Sequence, residues 1–445
     1  MYADTIAAPA TPPGEGGVAI IRISGPRARA AAEALFSRPL RDHRIVAGHL
    51  VDPRTGEELD EALALLMCAP RSFTREDVVE LHLHGGRMVV ERTLRAVLAQ
   101  GVRAAAPGEF TLRAFLNGRI DLAQAEAVLD IVQARTDAAH RVAMHGLRGR
   151  VSGEVRAVRA RLLAVLAYLI ARIDFPDEDV PPHDIGPALA TAAVEIERIL
   201  AGSRAGMLYR DGARVALLGP PNAGKSSLLN RLLREDRAIV TAVAGTTRDT
   251  LEETTNIAGI PVVLTDTAGF AEAPDPIEAI GIERSRRAAA AADAILIVLD
   301  GAAPLPPAAA DLFTLAEDRP ALIALNKCDL PPAIPAEQLP FPHVRVSALH
   351  DLGLDLLEGA LAARLIGGAP TGAGEVLVSN PRHADALRRA LVSVEAAVDG
   401  LAAAMPEDFT SIDLRAALDA LGEVTGETAG EELLDEIFAR FCIGK

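Results

Sequence analysis

The sequence predicts a multidomain α/β chain: an N-terminal α+β domain, then a helical domain in two segments with an α/β module inserted between them. Three observations carry this. Residues 1–118 mix strand-like runs ("GGVAIIRIS", "VVELHLHG") with helical stretches ("AAEALF", "MVVERTLRAVLAQ"). Residues 212–368 alternate apolar strands with helical runs: "RVALLG", "KSSLLNRLL", "VVLTD", "AILIVLD" and "ALIALNK". That alternation predicts βαβ units around a mainly parallel sheet. Residues 119–211 and 369–445 are helical ("DLAQAEAVLDIVQAR", "RVSGEVRAVRARLLAVLAYLIARI", "SIDLRAALDALGEVTG", "EELLDEIFARF"), so a helical block stands on each side of the module. The Gly/Pro-rich "IGGAPTGAGE" (366–375) reads as the linker back into the second block.

Composition narrows the class. A chain of 445 residues suits several domains, and half its residues are hydrophobic, ample for real cores. Aromatics make up only 3%, so alanine and leucine dominate and helix is favoured. Cys68, Cys328 and Cys442 show neither metal-type spacing nor a disulfide framework, which predicts a reduced, cytoplasmic compartment. "MYADTIAAPATPPGEGG" lacks the basic and apolar regions of a signal peptide. No apolar run suits a membrane span, so no membrane partner is expected. A formal net charge of −16 disfavours indiscriminate nucleic-acid binding while leaving room for a local basic face.

Among 45 basic residues only Lys225, Lys327 and Lys445 are lysine. The first two have local explanations. "GPPNAGKS" (219–226) follows a strand-like run and precedes a helical one, the context a phosphate-binding P-loop requires. Gly219 and Gly224 let backbone N–H groups close on phosphate, Lys225 reaches the β- and γ-phosphates, and the Ser226 hydroxyl ligates Mg²⁺. The planar fork of arginine is too large for that slot. Alone, the octet also fits a chance glycine-rich turn.

The downstream motifs decide between the two. "AGTTRD" (244–249) supplies Thr247 as a switch threonine on Mg²⁺, and "DTAG" (266–269) supplies Asp266 and the Gly269 N–H. "NKCD" (326–329) ends an apolar strand. Asp329 can accept two N–H bonds from a guanine edge, a readout that rejects adenine, and the Lys327 stem packs on the base. "SAL" (347–349) adds a backbone N–H for the guanine carbonyl. In this order these elements imply a GTPase domain. Its GTP-binding set is Asn222, Ala223, Gly224, Lys225, Ser226, Ser227, Thr241, Ala242, Val243, Ala244, Gly245, Thr246, Thr247, Asp266, Thr267, Ala268, Gly269, Asn326, Lys327, Asp329, Ser347, Ala348 and Leu349. Phe270 stands where Ras-like GTPases carry a water-positioning glutamine. "DPIEAIGIERSRR" (275–287) offers Glu278 and Glu283 to orient water and Arg284, Arg286 and Arg287 to neutralise charge; each also fits a solvated helix face.

Over essentially its whole length the chain resembles the MnmE (TrmE) tRNA-modification GTPases. The resemblance rests on "ATPPGEGGVAIIRISG", "SFTREDVVELHLHGG", "PGEFTLRAFLNGRIDLAQAEAV", "IDFPDED", "GPPNAGKSSLLN", "VAGTTRD", "IGIER" and "FCIGK". It implies a dimerising N-terminal folate-binding domain of the aminomethyltransferase type, and a G domain inserted into the discontinuous helical domain. It implies a homodimer that forms a heterotetramer with the flavoprotein MnmG. Together they would install an aminomethyl-type group, such as carboxymethylaminomethyl, at C5 of the wobble uridine of certain tRNAs, using a one-carbon tetrahydrofolate. Hydrolysis of GTP would be stimulated by K⁺ and coupled to G-domain dimerisation.

Matched position by position, the resemblance implies that Asn222 is a potassium ligand, with Thr241, Val243 and Thr246 of the loop that also holds Ala242. A K⁺ ion there can supply the charge of an arginine finger. Glu278 matches the glutamate that orients water. Arg22, Glu80 and Arg119 match folate contacts; position 119 is often lysine in the family. "SAL" replaces a commoner Ser-Ala-Arg or Ser-Ala-Lys, which leaves the backbone contact intact.

Three features remain open in the sequence. His82 and His84 alternate on one strand face and suit packing or a folate pocket better than a metal, for want of further ligands. Between Arg141 and Arg161 lie six arginines against one acid, Glu154, which fits either a tRNA-facing patch or a solvated helix. "CIGK" is a poor prenylation signal. Lys445 could simply favour a helix C-terminus, but arginine would serve equally there. Lys445 is therefore expected in the folate or substrate site, and Cys442 is either a thiol nucleophile toward uridine C6 or structural. A second function class, a GTPase switch in ribosome assembly without one-carbon chemistry, is disfavoured because an Ala/Leu-rich helical block trails the G domain and a large domain precedes it.

Overall fold

The computed structural model describes residues 4–175, 181, 183–233, 254–266, 286–367 and 377–445. The chain divides into two compact units, Met1–Leu129 with Gly422–Lys445, and Asp130–Leu421.

The first unit is built on a six-stranded sheet of β1 (Ile6–Pro9), β2 (Gly16–Ser24), β3 (Ile45–Val51), β4 (Glu58–Met67), β5 (Val78–Gly85) and β6 (Arg103–Ala104), in the order β3-β4-β5-β2-β1-β6. All pairs are antiparallel except β1 with β6. Period-2 alternation sorts the side chains. Ile21 and Ile23 of β2, with Val79, Leu81 and Leu83 of β5, join the core formed with Ala28, Ala31 and Ala32 of helix Ala28–Glu33 and Ala96 and Val97 of helix Arg87–Leu98. Fully burying each large aliphatic side chain contributes about 1.5–3 kcal/mol. The alternate residues Arg22 and Glu80 are direct cross-strand partners and therefore share the opposite face.

A second cluster in this unit joins distant parts of the chain. Leu122, Ala125 and Leu129 pack with Ile437, Phe438 and Phe441, and the rings of Phe438 and Phe441 lie 5.4 Å apart. This cluster seats helix Glu431–Ala439 and brings the segment after it to the N-terminal sheet. Gly444 lies so close to β1 that a Cβ on it would sit 2.0 Å from the Pro9 carbonyl oxygen, and its φ is +94°. No residue but glycine fits there without moving the tail.

The second unit holds a sheet of β7 (Ala213–Leu218), β8 (Thr254–Ile257), β9 (Ile260–Asp266), β10 (Ala294–Asp300), β11 (Ala321–Asn326) and β12 (His343–Arg345), in the order β12-β11-β10-β7-β9-β8. Among the described residues only the β8–β9 hairpin is antiparallel in this sheet. "AILIV" of β10 is apolar at every position because both faces are covered. Leu296 and Val298 join the core under helices Lys225–Leu232 and Leu354–Ile366, while Ile295, Ile297 and Leu299 face helix Ala309–Ala316.

The same unit holds helices Asp137–Leu147, Arg150–Asp174, Gly186–Ala201, Ser203–Asp211 and Pro381–Ala402, of which Ser203–Asp211 packs on β9. Gly186–Ala201 packs on both Arg150–Asp174 and Pro381–Ala402. The Thr136 hydroxyl accepts the Ala139 N–H at 3.1 Å, capping helix Asp137–Leu147, and donates to the Gly259 carbonyl at 2.7 Å in the β8–β9 turn. Gly259 has φ +93°, and a Cβ on it would meet Ala138 at 2.8 Å. Among the described residues no helix is long and apolar enough to cross a membrane.

Candidate functional site

Two sites can be built from the residues upward. In the second unit the expected nucleotide residues cluster at the C-terminal edge of parallel strands, where α/β sheets bind ligands. The P-loop follows β7. Gly224 is left-handed (φ +89°) and precedes helix Lys225–Leu232, and Asn222 is left-handed as well (φ +62°). These two turns wrap the loop ahead of the positive end of the helix dipole. Lys225 is buried, and its Nζ donates to the carbonyl oxygens of Gly219 at 2.9 Å and Pro220 at 3.0 Å. The lysine is thus held along the loop.

Asn326 ties this loop to the other motifs. Its Nδ2 donates to the Ala223 carbonyl at 2.9 Å, and its Oδ1 accepts the Ala348 N–H at 3.1 Å. Gly224 must be glycine beside it, since a Cβ there would lie 2.2 Å from Asn326 Nδ2. Lys327 is left-handed (φ +62°), and its Nζ meets Asp300 Oδ2 at 2.6 Å. A hydrogen bond from Ser347 is the main cause holding the Asp329 carboxyl below its usual range, so it is an acceptor at neutral pH. Leu349 is exposed. Motif reading missed Asp300; an acid closing the apolar strand "AILIVLD" is the signal that marks it.

In the first unit the expected folate residues Arg22, Glu80 and Lys445 converge. Arg22 Nε donates to Glu80 Oε1 at 2.9 Å and its Nη2 lies 2.8 Å from the same oxygen. Arg22 Nη1 donates to the Gly444 carbonyl at 3.3 Å. The Arg22 guanidinium stands 5.8 Å from the Phe73 ring centre and 5.7 Å from that of Phe110. The Arg119 guanidinium also lies against Phe73, 4.7 Å from the ring centre, and its Nη1 donates to the Phe73 carbonyl at 3.0 Å. A groove of about 550 Å³ opens beside Phe73, Arg75 and Arg119. Burial, and then the positive charge of Arg22, push the Lys445 ammonium below the usual lysine range. The Cys442 thiol is exposed, while its carbonyl accepts the Lys445 N–H at 3.3 Å. His82 Nε2 is buried without a hydrogen-bond partner, 3.5 Å from Glu80 Oε2, whereas His84 Nδ1 pairs with Asp60 at 2.7 Å.

Arg113 supports this face from below, and sequence reading missed it. It is fully buried, and it bonds Asp4 at 2.8 Å, Glu109 at 3.0 Å and Glu76 at 3.3 Å. Glu76 in turn accepts from the Ser24 hydroxyl at 2.7 Å. The network fixes the segments that carry Phe73 and Phe110. Nothing in the periodicity of "EFTLRAFL" marks its arginine as buried.

A family model described as the MnmE helical domain matches residues 122–442, and one described as the GTP-binding protein TrmE N-terminus matches residues 5–119. The tRNA modification GTPase MnmE of Chloroflexus aurantiacus is 53% identical over 99% of this chain and 100% of its own. That of Roseiflexus sp. strain RS-1 is 51% identical over 100% of both. The chain belongs to the MnmE family of tRNA modification GTPases. A variant of Aquifex aeolicus Era, solved with GDP and AlF4−, is 24% identical over 43% of this chain and 67% of its own, with a TM-score of 0.28.

Some residues expected of an MnmE GTPase lie outside the described residues: Thr241, Ala242, Val243, Ala244, Gly245, Thr246, Thr247, Thr267, Ala268, Gly269 and Glu278. Asp266 closes β9, where its backbone pairs with Leu217. Ser226 and Ser227 lie in the first turn of helix Lys225–Leu232.

Proposed function

We propose that this MnmE-family chain couples GTP hydrolysis to one-carbon chemistry at the wobble uridine of certain tRNAs. It does so as a cytoplasmic homodimer, in a heterotetramer with the flavoprotein MnmG, adding an aminomethyl-type group at C5 from a one-carbon tetrahydrofolate. Its domains are 1–118 for folate binding and dimerisation, 119–211 with 369–445 for the helical domain, and 212–368 for the G domain.

At the G domain, the backbone around Asn222, Ala223 and Gly224 cradles the phosphates and Lys225 donates to them. Asp329 accepts from the guanine edge, and a backbone N–H of the Ser347–Leu349 loop, which Asn326 anchors through Ala348, donates to the guanine carbonyl. Ser226 and Thr247 would hold Mg²⁺; Asn222, Thr241, Val243 and Thr246 would hold K⁺. These ions supply positive charge where negative charge builds on the phosphate oxygens. The left-handed Asn222 suits this, because it turns that residue along the loop lip. Glu278 orients the attacking water in place of the glutamine that Phe270 displaces.

One observation carries the one-carbon half of the reading: Glu80 grips Arg22, and Arg22 binds the Gly444 carbonyl next to Lys445. A carboxylate with a second oxygen to offer, two guanidinium groups and two aromatic rings suit a reduced folate, which presents N–H donors, a flat ring and an anionic tail. Glu80, oriented by Arg22, would accept from the ring N–H groups with Lys445 nearby, while a cation such as Arg119 would hold the anionic end. When bound, the folate supplies the one-carbon unit. Cys442 is the candidate nucleophile toward uridine C6. Equilibrium titration of the purified dimer with a reduced folate tests the reading. Saturable binding that Glu80→Gln weakens is expected, and no binding to the wild type would refute it.

A further inference from the structure

The corner between helices Asp137–Leu147 and Arg150–Asp174 carries charge that neither site uses. Residues 138–153 contain Arg141, Arg148 and Arg150 with His140 and His145, and no Asp or Glu, in a chain of formal net charge −16. Arg141, His145 and Arg148 are spaced i, i+4 and i+7, so they share one helical face. The inner face is closed by buried Ala138, Ala139 and Ala143. Gly149, left-handed at φ +73°, turns the chain so that Arg150 opens the next helix beside them. Arg141, Arg148 and Arg150 are all exposed.

Arginines elsewhere in this chain are commonly offset by acids. Arg161 lies 3.0 Å from Glu195, Arg198 pairs with Glu154, and Arg29 and Arg95 make i,i+4 pairs with Glu33 and Glu91. Among the described residues, Arg141 and Arg148 make no ion pair. The local field is accordingly positive. Burial first, and then Arg150, Arg148 and Arg141, push the His145 imidazole below its usual range. The six-arginine run therefore divides: its later part is engaged within the helical domain, and its first part is presented outward.

We propose that Arg141 and Arg148, on either side of His145, bind phosphates of the tRNA backbone. This rests on the reading above that tRNA is the substrate. The chemistry is positioning through phosphate contacts, which the planar guanidinium fork matches. The surface also has a fixed footing: the same helix is capped by Thr136, which bonds the Gly259 turn of the nucleotide-binding sheet.

The test is binding of a purified tRNA transcript to the full-length protein across a salt series. Arg141→Gln with Arg148→Gln should flatten the slope of log affinity against log salt by about one per arginine and weaken binding roughly tenfold or more near 0.1 M salt. Arg29→Gln with Arg95→Gln changes the net charge equally and should retain the wild-type slope. Unchanged basal GTP hydrolysis reports that both variants fold. A 141/148 double variant that binds like the wild type defeats the surface alone, as does an equal loss in the control. A wild-type protein that binds no transcript defeats the surface together with the tRNA reading of this chain.

Discussion

Asn326 holds Ala223 from 103 residues away: its amide donates to the Ala223 carbonyl at 2.9 Å while accepting the Ala348 N–H at 3.1 Å. One buried side chain thereby spaces the phosphate loop from the guanine loop. Asn326→Ala leaves a buried carbonyl and a buried N–H unpaired, at about 1–3 kcal/mol each. If half of that loss, about 1–3 kcal/mol, falls on the nucleotide-bound form, GTP affinity should drop by roughly one to two orders of magnitude. Titration with a fluorescent GTP analogue measures it, and wild-type affinity in the variant would show that the bridge is dispensable.

Gly444→Ala should separate the two activities. The added Cβ would lie 2.0 Å from the Pro9 carbonyl oxygen, so the tail must leave the sheet. GTP hydrolysis should stay near the wild-type rate while tRNA modification is lost. Parallel assays of phosphate release and modified nucleoside check this; full modification would mean the docked tail has no role.

Lys445 offers a finer probe. Burial disfavours its charge, and a guanidinium, which is bulkier and holds its proton more tightly, lacks the compactness of an ammonium beside Arg22. Lys445→Arg should reduce modification at least tenfold (about 1.4 kcal/mol) with GTP turnover intact. Cys442→Ser should abolish modification if the thiol attacks uridine; full activity in the serine variant removes it from the chemistry.

Arg113 is the main structural risk in the N-terminal sheet. Arg113→Met removes the buried cation shared by Asp4, Glu76 and Glu109, leaving Glu109 to Arg103 and Glu76 to the Ser24 hydroxyl, and should destabilise that unit by about 3–5 kcal/mol, read as a lowered calorimetric transition. Burial pushes the Glu109 carboxyl up, but hydrogen bonds from Arg103, the Ala106 N–H and Arg113 outweigh it and set the carboxyl below its usual value. A carboxyl depressed on folding contributes stability above its unfolded pKa and loses it as pH falls through the folded one. The wild-type transition should therefore drop below about pH 4, and the Met variant should lose less over the same range. Parallel acid profiles for the two proteins would refute the network's role.

Legibility in the sequence followed distance along the chain. The P-loop, "NKCD" and "SAL" are contiguous motifs at strand ends, so spacing alone located them. The alternation of "VVELHLHG" put His82 and His84 on one strand face, and in β5 they alternate with the buried Leu81 and Leu83. Only the rarity of lysine pointed to the tail, because the contact of Arg22 with Gly444 spans 422 residues. Phe73, Phe110 and Arg113 gave no signal: their roles come from long-range packing and a buried charge network, which local patterning does not encode.

The most direct test is nucleoside analysis of tRNA from cells lacking this chain. The aminomethyl-type substituent at C5 of the wobble uridine should disappear, return with the wild-type gene, and stay absent with Lys225→Ala or Glu80→Ala. An unchanged nucleoside profile in the deleted cells would contradict the assignment of both sites to one tRNA-modifying reaction.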